Sequence, residues 1–136
     1  MHITPDKAEG FLADVPRDMI FRMHMGAELH NIRELAESLD IVSDETFSYH
    51  VNNEKNDFAN WVHDVIGDTI LASEIRHLKT KDAIKDKVRK RISALDHHAA
   101  KGRPMYSDEL MKFGLRDFIV GVIVGFVLAI IINAFI

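Results

Sequence analysis

The sequence predicts a mainly α-helical chain. It should comprise a small helical domain with a short β-strand or hairpin near residues 19–30, a basic amphipathic helix, and one C-terminal transmembrane helix. Three observations carry this prediction. Through most of residues 1–100, apolar residues recur three and four positions apart, each group led by a residue able to cap a helix. Residues 79–91 hold seven Lys or Arg against two Asp while keeping a helical apolar spacing. From Phe118 to Ile136 the chain runs nineteen residues without a charge, and Asn133 is its one strongly polar side chain. As a helix that run spans about 28 Å, close to the hydrocarbon thickness of a bilayer.

Residues 1–18 predict a short N-terminal helix. Thr4 can cap it, Pro5 suits its first position, and Asp6 complements its dipole. Ala8, Phe11, Leu12 and Val15 fall on one side, and Pro16 ends the pattern. Residues 19–78 form the predicted domain. From Met19 to Met25 the alternation puts Phe21, Met23 and Met25 on one face of a strand, with Gly26 following as a turn residue. Asn31 and Glu34 have capping-box spacing, and Ile32, Leu35, Ala36 and Leu39 make the apolar stripe behind them.

Ser43 opens another helix that carries Phe47 and Val51 inward, and the polar run at residues 52–56 predicts a break. Asn56 or Asp57 then caps a helix with Phe58, Trp61, Val62, Val65 and Ile66 on its buried side. Gly67 is placed to stop it. Asp68 caps the next segment, in which Ile70, Leu71 and Ile75 are apolar. Residues 79–100 form the basic helix, with Ile84, Val88, Ile92, Leu95 and Ala99 along its apolar side. A juxtamembrane segment follows at 101–114, and the anchor occupies 115–136.

Without the anchor about 100 residues are left, enough for one modest core. The absence of cysteine excludes disulfides, thiolate metal sites and thiolate nucleophiles. Residues 1–75 carry five Lys or Arg against fifteen Asp or Glu, a net of −10, whereas residues 76–103 carry ten against three, a net of +7. Such asymmetry predicts an acidic domain followed by a basic helix that faces something negative. No apolar leader stands near Met1, and Lys112 and Arg116 precede the span. Both features predict a single-pass membrane protein anchored by its C-terminal helix, with the N-terminal domain cytoplasmic.

Phe47, His50 and Val51, then Asn56, Asp57, Phe58 and Trp61, then Gly67, Asp68, Leu71 and Ala72 make a recognisable series. It resembles a small, largely archaeal, mostly helical domain family of unknown function with the pattern Phe-x-x-His-Val, Asn-Asp-Phe-x-x-Trp, Gly-Asp-x-x-Leu-Ala. The resemblance covers about residues 19–78. It implies a compact helical module in which Phe47, His50, Asp57, Phe58, Trp61, Gly67 and Asp68 serve as core or capping residues. It implies no reaction, so no catalytic residue follows from it.

Candidate chemistry is sparse. His50, Glu54 and Asp57 would share a face if residues 45–66 were one continuous helix, and could then hold a divalent metal. The polar interruption at 52–56 argues for His50 and Asp57 in structural roles instead. No phosphate-binding glycine loop or nucleophile elbow is present. The sequence therefore predicts no catalytic residue, no metal site and no cofactor. In the basic helix, Lys79, Lys81, Lys85, Lys87, Arg89, Lys90 and Arg91 could meet anionic lipid, nucleic acid, or the acidic domain itself. Within the span, Gly121, Gly125, Ala129 and Asn133 stand four apart along one side. This is a small-residue stripe suited to close helix packing, either with a second copy or with another membrane protein.

The leading expectation is a non-enzymatic interaction or scaffolding module that is tethered to a bilayer and associates through its transmembrane helix. The alternatives are a membrane-tethered nucleic-acid-binding protein using residues 79–91 and a His/carboxylate metal-dependent enzyme.

Overall fold

Residues 3–102 are described by the computed structural model. The expected transmembrane helix at 115–136, its stripe of Gly121, Gly125, Ala129 and Asn133, and residues 103–114 lie outside that range. Among the described residues, no helix is long and apolar enough to cross a membrane. The chain order is α1 (Pro5–Leu12), β1 (Phe21–Arg22), β2 (Glu28–Leu29), α2 (Ile32–Ile41), α3 (Asp44–His50), α4 (Asp57–Trp61), a π-helical turn (Val62–Ile66), α5 (Thr69–Ile75) and α6 (Lys81–Gly102). The described residues are mainly helical, with one small two-stranded hairpin.

The basic helix is the central post of this fold. Helices α1, α2 and α5 all pack on α6. Ile84, Val88 and Leu95 of α6 are completely buried, and they meet a core that includes Ile32, Leu35 and Leu39 of α2, Ala8 and Phe11 of α1, and Leu71 and Ile75 of α5. At the far end, a Cβ on Gly102 would run into the Pro5 ring, so the last turn of α6 and the first turn of α1 meet with no room for a side chain.

Each α-helix begins on a side-chain cap. Thr4 accepts the Lys7 amide, Ser43 the Thr46 amide, and Asp68 the Leu71 amide. At α2, Asn31 accepts the amides of Arg33 and Glu34, but the Glu34 carboxylate accepts the His30 N–H at 2.7 Å. The capping box is thus displaced by one residue from the expected reciprocal pair. Asn56, not Asp57, caps α4. Its Oδ1 accepts the Ala59 amide and its Nδ2 donates to the Ile75 carbonyl at 2.9 Å, tying the start of α4 to the end of α5.

One local expectation is corrected. The strand is shorter than the alternation from Met19 to Met25 implied. Phe21 pairs with Leu29 and Arg22 with Glu28, after which the Met23 amide donates to the Ala27 carbonyl across a tight turn. Met25 (φ 70°) and Gly26 (φ 118°) make that turn, so Met23 is buried while Met25 points to solvent. As the polar run at 52–56 predicts, no continuous helix spans 45–66. The chain leaves α3 after His50 and returns through an isolated Val51–Asn56 bridge, with Asn52 accepting the Glu54 and Lys55 amides between them. Ile70 lies on the exposed side of α5, because Leu71, Ala72 and Ile75 define the buried side.

After Trp61 the helix widens by one residue, the Gly67 amide reaching back to the Val62 carbonyl at 3.0 Å. Gly67 (φ 79°) ends it in the left-handed region, as expected for a stop.

Asp68 does more than cap α5. Its carboxylate, 1 % exposed, receives Arg91 Nε at 2.6 Å and Nη2 at 2.9 Å from the middle of α6. This two-pronged contact fixes α5 to α6 in both angle and register. Arg91→Ala should lower unfolding stability by about 3–5 kcal/mol, because it leaves a buried carboxylate unpaired. Arg91→Lys should recover a minor part, since an ammonium cannot make the paired contact. Urea unfolding of the two variants checks this, and equal stability of Arg91→Ala and the parent would refute it.

Candidate functional site

The series that carried the family resemblance folds into two places. Phe47, His50, Asp57, Phe58 and Trp61 gather around Phe21 of the hairpin. The Phe21 ring lies 5.0 Å from His50, 5.1 Å from Phe58 and 5.7 Å from Trp61. Trp61 Nε1 donates to the Met19 carbonyl at 3.0 Å, which anchors the approach to the hairpin. Gly67 and Asp68 sit apart from this cluster, ending the π-helical turn and starting α5.

His50 is the polar centre of the aromatic group. Its Nε2 accepts the His24 backbone N–H at 2.8 Å, so that nitrogen carries a lone pair. The proton of the neutral ring is therefore on Nδ1, which donates to Asp57 Oδ2 at 3.1 Å. Lys55 Nζ reaches the same oxygen at 2.7 Å and balances the carboxylate charge. Burial pushes the His50 imidazole below its ordinary value, and it outweighs the upward pull of Asp57. With both nitrogens engaged, the ring takes up neither a proton nor a metal without releasing the His24 amide.

Of the three residues considered as metal ligands, His50 and Asp57 meet, whereas Glu54 lies exposed in the 52–55 turn. Among the described residues, no group of three or more His, Cys, Asp or Glu is placed to hold a metal ion.

The basic helix turns most of its charge onto its own domain. Lys81 meets Asp44 at 2.6 Å and the Val42 carbonyl at 3.1 Å. Lys85 lies between Asp82 at 2.8 Å and Asp40 at 3.1 Å, and these two hydrogen bonds hold its amine above the ordinary value. Arg89 also reaches Asp40, Lys87 approaches Glu74 at 3.7 Å, Arg91 holds Asp68, and Lys79 donates to the Asn52 carbonyl. Lys90 alone of the seven has no such partner among the described residues, and it is exposed. The exposed pairs among these contribute about 0–1 kcal/mol each, the buried contact of Arg91 with Asp68 excepted. Together they pair the acidic part of the sequence with the basic part inside one chain, which is one of the three options its charge asymmetry left open.

A different surface is unspent. Between the hairpin turn and the junction of α2 with α3 lies a groove of about 180 Å³, lined by residues including Met23, Met25, Ile41, Val42 and Thr46. Met25 is 79 % exposed and Ile41 87 % exposed. His24, also on the groove, stacks on Tyr49 with ring centres 4.1 Å apart, which extends the apolar area onto α3. Sequence reasoning passed over this surface. The available signal was Ile41, a bulky aliphatic residue out of phase with the stripe of Ile32, Leu35, Ala36 and Leu39.

A family model described as a family of unknown function (DUF5752) matches residues 14–113, a span that takes in all of α6 as well as the series above. No curated protein and no solved structure matches the chain.

The His50 contacts give a pH dependence of defined sign. Because the folded-state value lies below the ordinary 6.5, the unfolded chain binds the proton first. The stabilising contribution of neutral His50 is complete above about pH 6.5 and is lost as pH falls through the folded value. Between pH 7 and pH 5 the parent should lose up to about 1.4 kcal/mol per pH unit from this group. His50→Gln should be less stable at pH 7 and show a flatter slope. Urea midpoints at several pH values test this, and parallel slopes for the two proteins would refute it.

Proposed function

We propose, for a chain that belongs to this family of unknown function, that it is a membrane-anchored, non-enzymatic interaction module. The observation that carries the reading is the uncharged run from Phe118 to Ile136, joined to a folded domain with an exposed apolar surface. The run supplies a transmembrane helix, and Lys112 and Arg116 ahead of it favour a cytoplasmic domain. The non-enzymatic part is supported by how the polar residues are used. Asp68, Asn56, His50 and Asp57 are all engaged in holding elements together.

Association runs through the stripe of Gly121, Gly125, Ala129 and Asn133, either with a second copy of this chain or with another membrane protein. The nucleic-acid reading of residues 79–91 is less favoured, because Lys81, Lys85, Lys87, Arg89 and Arg91 meet acids of their own domain. Anionic lipid would draw on the same helix, beginning with exposed Lys90.

The full chain should stay with membranes through high-salt and alkaline washing and be released by detergent. Extraction by salt alone would sink the anchored reading. In detergent or bilayers, Gly125→Ile should weaken self-association about three- to thirtyfold. Unchanged association would remove the stripe as the interface.

A further inference from the structure

We infer that the groove between the hairpin turn and the α2–α3 junction is a docking site for an amphipathic, basic helix of a partner protein. One or two bulky aliphatic side chains of that helix would fill the groove, and its Lys or Arg would lie along an acidic rim. The inference rests on the interaction-module reading and assigns that reading its surface and its class of partner.

The groove is shaped for a side chain rather than for solvent. Its buried lining is Met23 with Ser38 and Thr46, whose hydroxyls are engaged with the Leu35 carbonyl and Ser43 Oγ, and Val42 is half-buried. Its two walls end in Met25 and Ile41, the most exposed large apolar residues of the described domain. Single exposed apolar residues are ordinary, but two lining one groove, with His24 of the same groove stacked on Tyr49, make a larger apolar area. Met25 also holds a left-handed backbone (φ 70°), where a polar or glycine residue would be the cheaper choice. A flexible, polarisable thioether at such a position suits a surface that must fit an incoming side chain.

Charge selects the partner. Just outside the groove lining, Glu37 lies one helical turn before Ile41, and Glu45 precedes Thr46 in α3. Both are exposed and have no ion-pair partner among the described residues, unlike Asp40 and Asp44, which α6 already neutralises. An incoming segment therefore meets an apolar slot bordered by two uncompensated carboxylates. Basic flanks are matched and acidic flanks repelled, and an anionic bilayer or nucleic acid would be repelled as well.

The test uses the full chain in nanodiscs of zwitterionic lipid, with empty nanodiscs as the blank. The probes are two fluorescent helical peptides with the same Leu face, one with Lys on its polar face and one with Glu. The Lys peptide should bind above the blank, at least tenfold more tightly than the Glu peptide. Ile41→Glu should weaken it at least tenfold, and Glu37→Lys with Glu45→Lys should weaken it at least fivefold, while circular dichroism of both variants matches the parent.

Equal binding of the two peptides, binding unaffected by Ile41→Glu, or no binding above the blank would overturn the proposal. Loss of self-association in Ile41→Glu with peptide binding unchanged would assign the groove to a second copy instead, and would also overturn it. In any of these cases, continued partition of the chain with membranes leaves the anchored reading standing, so the two failures are distinguishable.

Discussion

Helix α6 has to be amphipathic in two senses at once, and the rest of the domain is arranged around that demand. Its inner side buries Ile84, Val88 and Leu95 against α1, α2 and α5. Its flanks carry lysines and arginines that would repel one another if left together. Acids from three other elements answer them: Asp40 at the end of α2, Asp44 at the start of α3, and Asp68 and Glu74 of the α5 segment. Most of these pairs are exposed and individually weak. Arg91 with Asp68 is the exception, because the carboxylate is fully enclosed and also caps α5. That one pair couples a helix start to the middle of the central helix, so the core cannot close in another register without stranding a buried charge.

The hairpin depends on the helices in a different way. Two strands of two residues each have too little pairing to be stable alone. Three contacts from outside hold them: the Val15 amide donates to the His30 carbonyl, the Trp61 indole to the Met19 carbonyl, and the His24 amide to His50 Nε2. The first and second secure the flanks, and the third grips the turn itself. Phe21 then fills the space between His50, Phe58 and Trp61, which supplies the apolar burial the short ladder lacks. A neutral histidine suits this position because it accepts from a backbone amide on one side and donates to a carboxylate on the other.

Much of this was legible in the sequence wherever the signal is local. Thr4, Asn31, Ser43 and Asp68 announced helix starts because a capping oxygen needs only its own neighbours, and Gly67 announced a stop because a left-handed residue favours glycine. The polar run at 52–56 marked the break between α3 and α4 for the same reason. Long-range information was not legible. Nothing near Asp68 in the chain distinguishes a simple cap from one that also receives Arg91, twenty-three residues later. The strand was overextended because the alternation from Phe21 to Met25 looks the same whether the chain continues or turns at His24. The fate of the basic helix was open for a related reason: composition reports charge, and only the packing of α6 decides which charges meet. The groove arises from two segments far apart in sequence, with Ile41 as its one local trace.

The proposed anchor and the proposed groove have complementary strengths. A groove of about 180 Å³ takes one or two side chains, and so small an apolar contact gives modest affinity by itself. Confinement to one membrane raises the effective concentration of a co-resident partner toward the millimolar range, where modest affinity is enough for occupancy. The same weakness allows exchange, because a contact of this size dissociates rapidly once the partner leaves the membrane. A strongly apolar surface would have secured binding without the anchor, at the cost of aggregation in the free domain. Placing two exposed aliphatic side chains beside two carboxylates, and leaving concentration to the tail, avoids that cost.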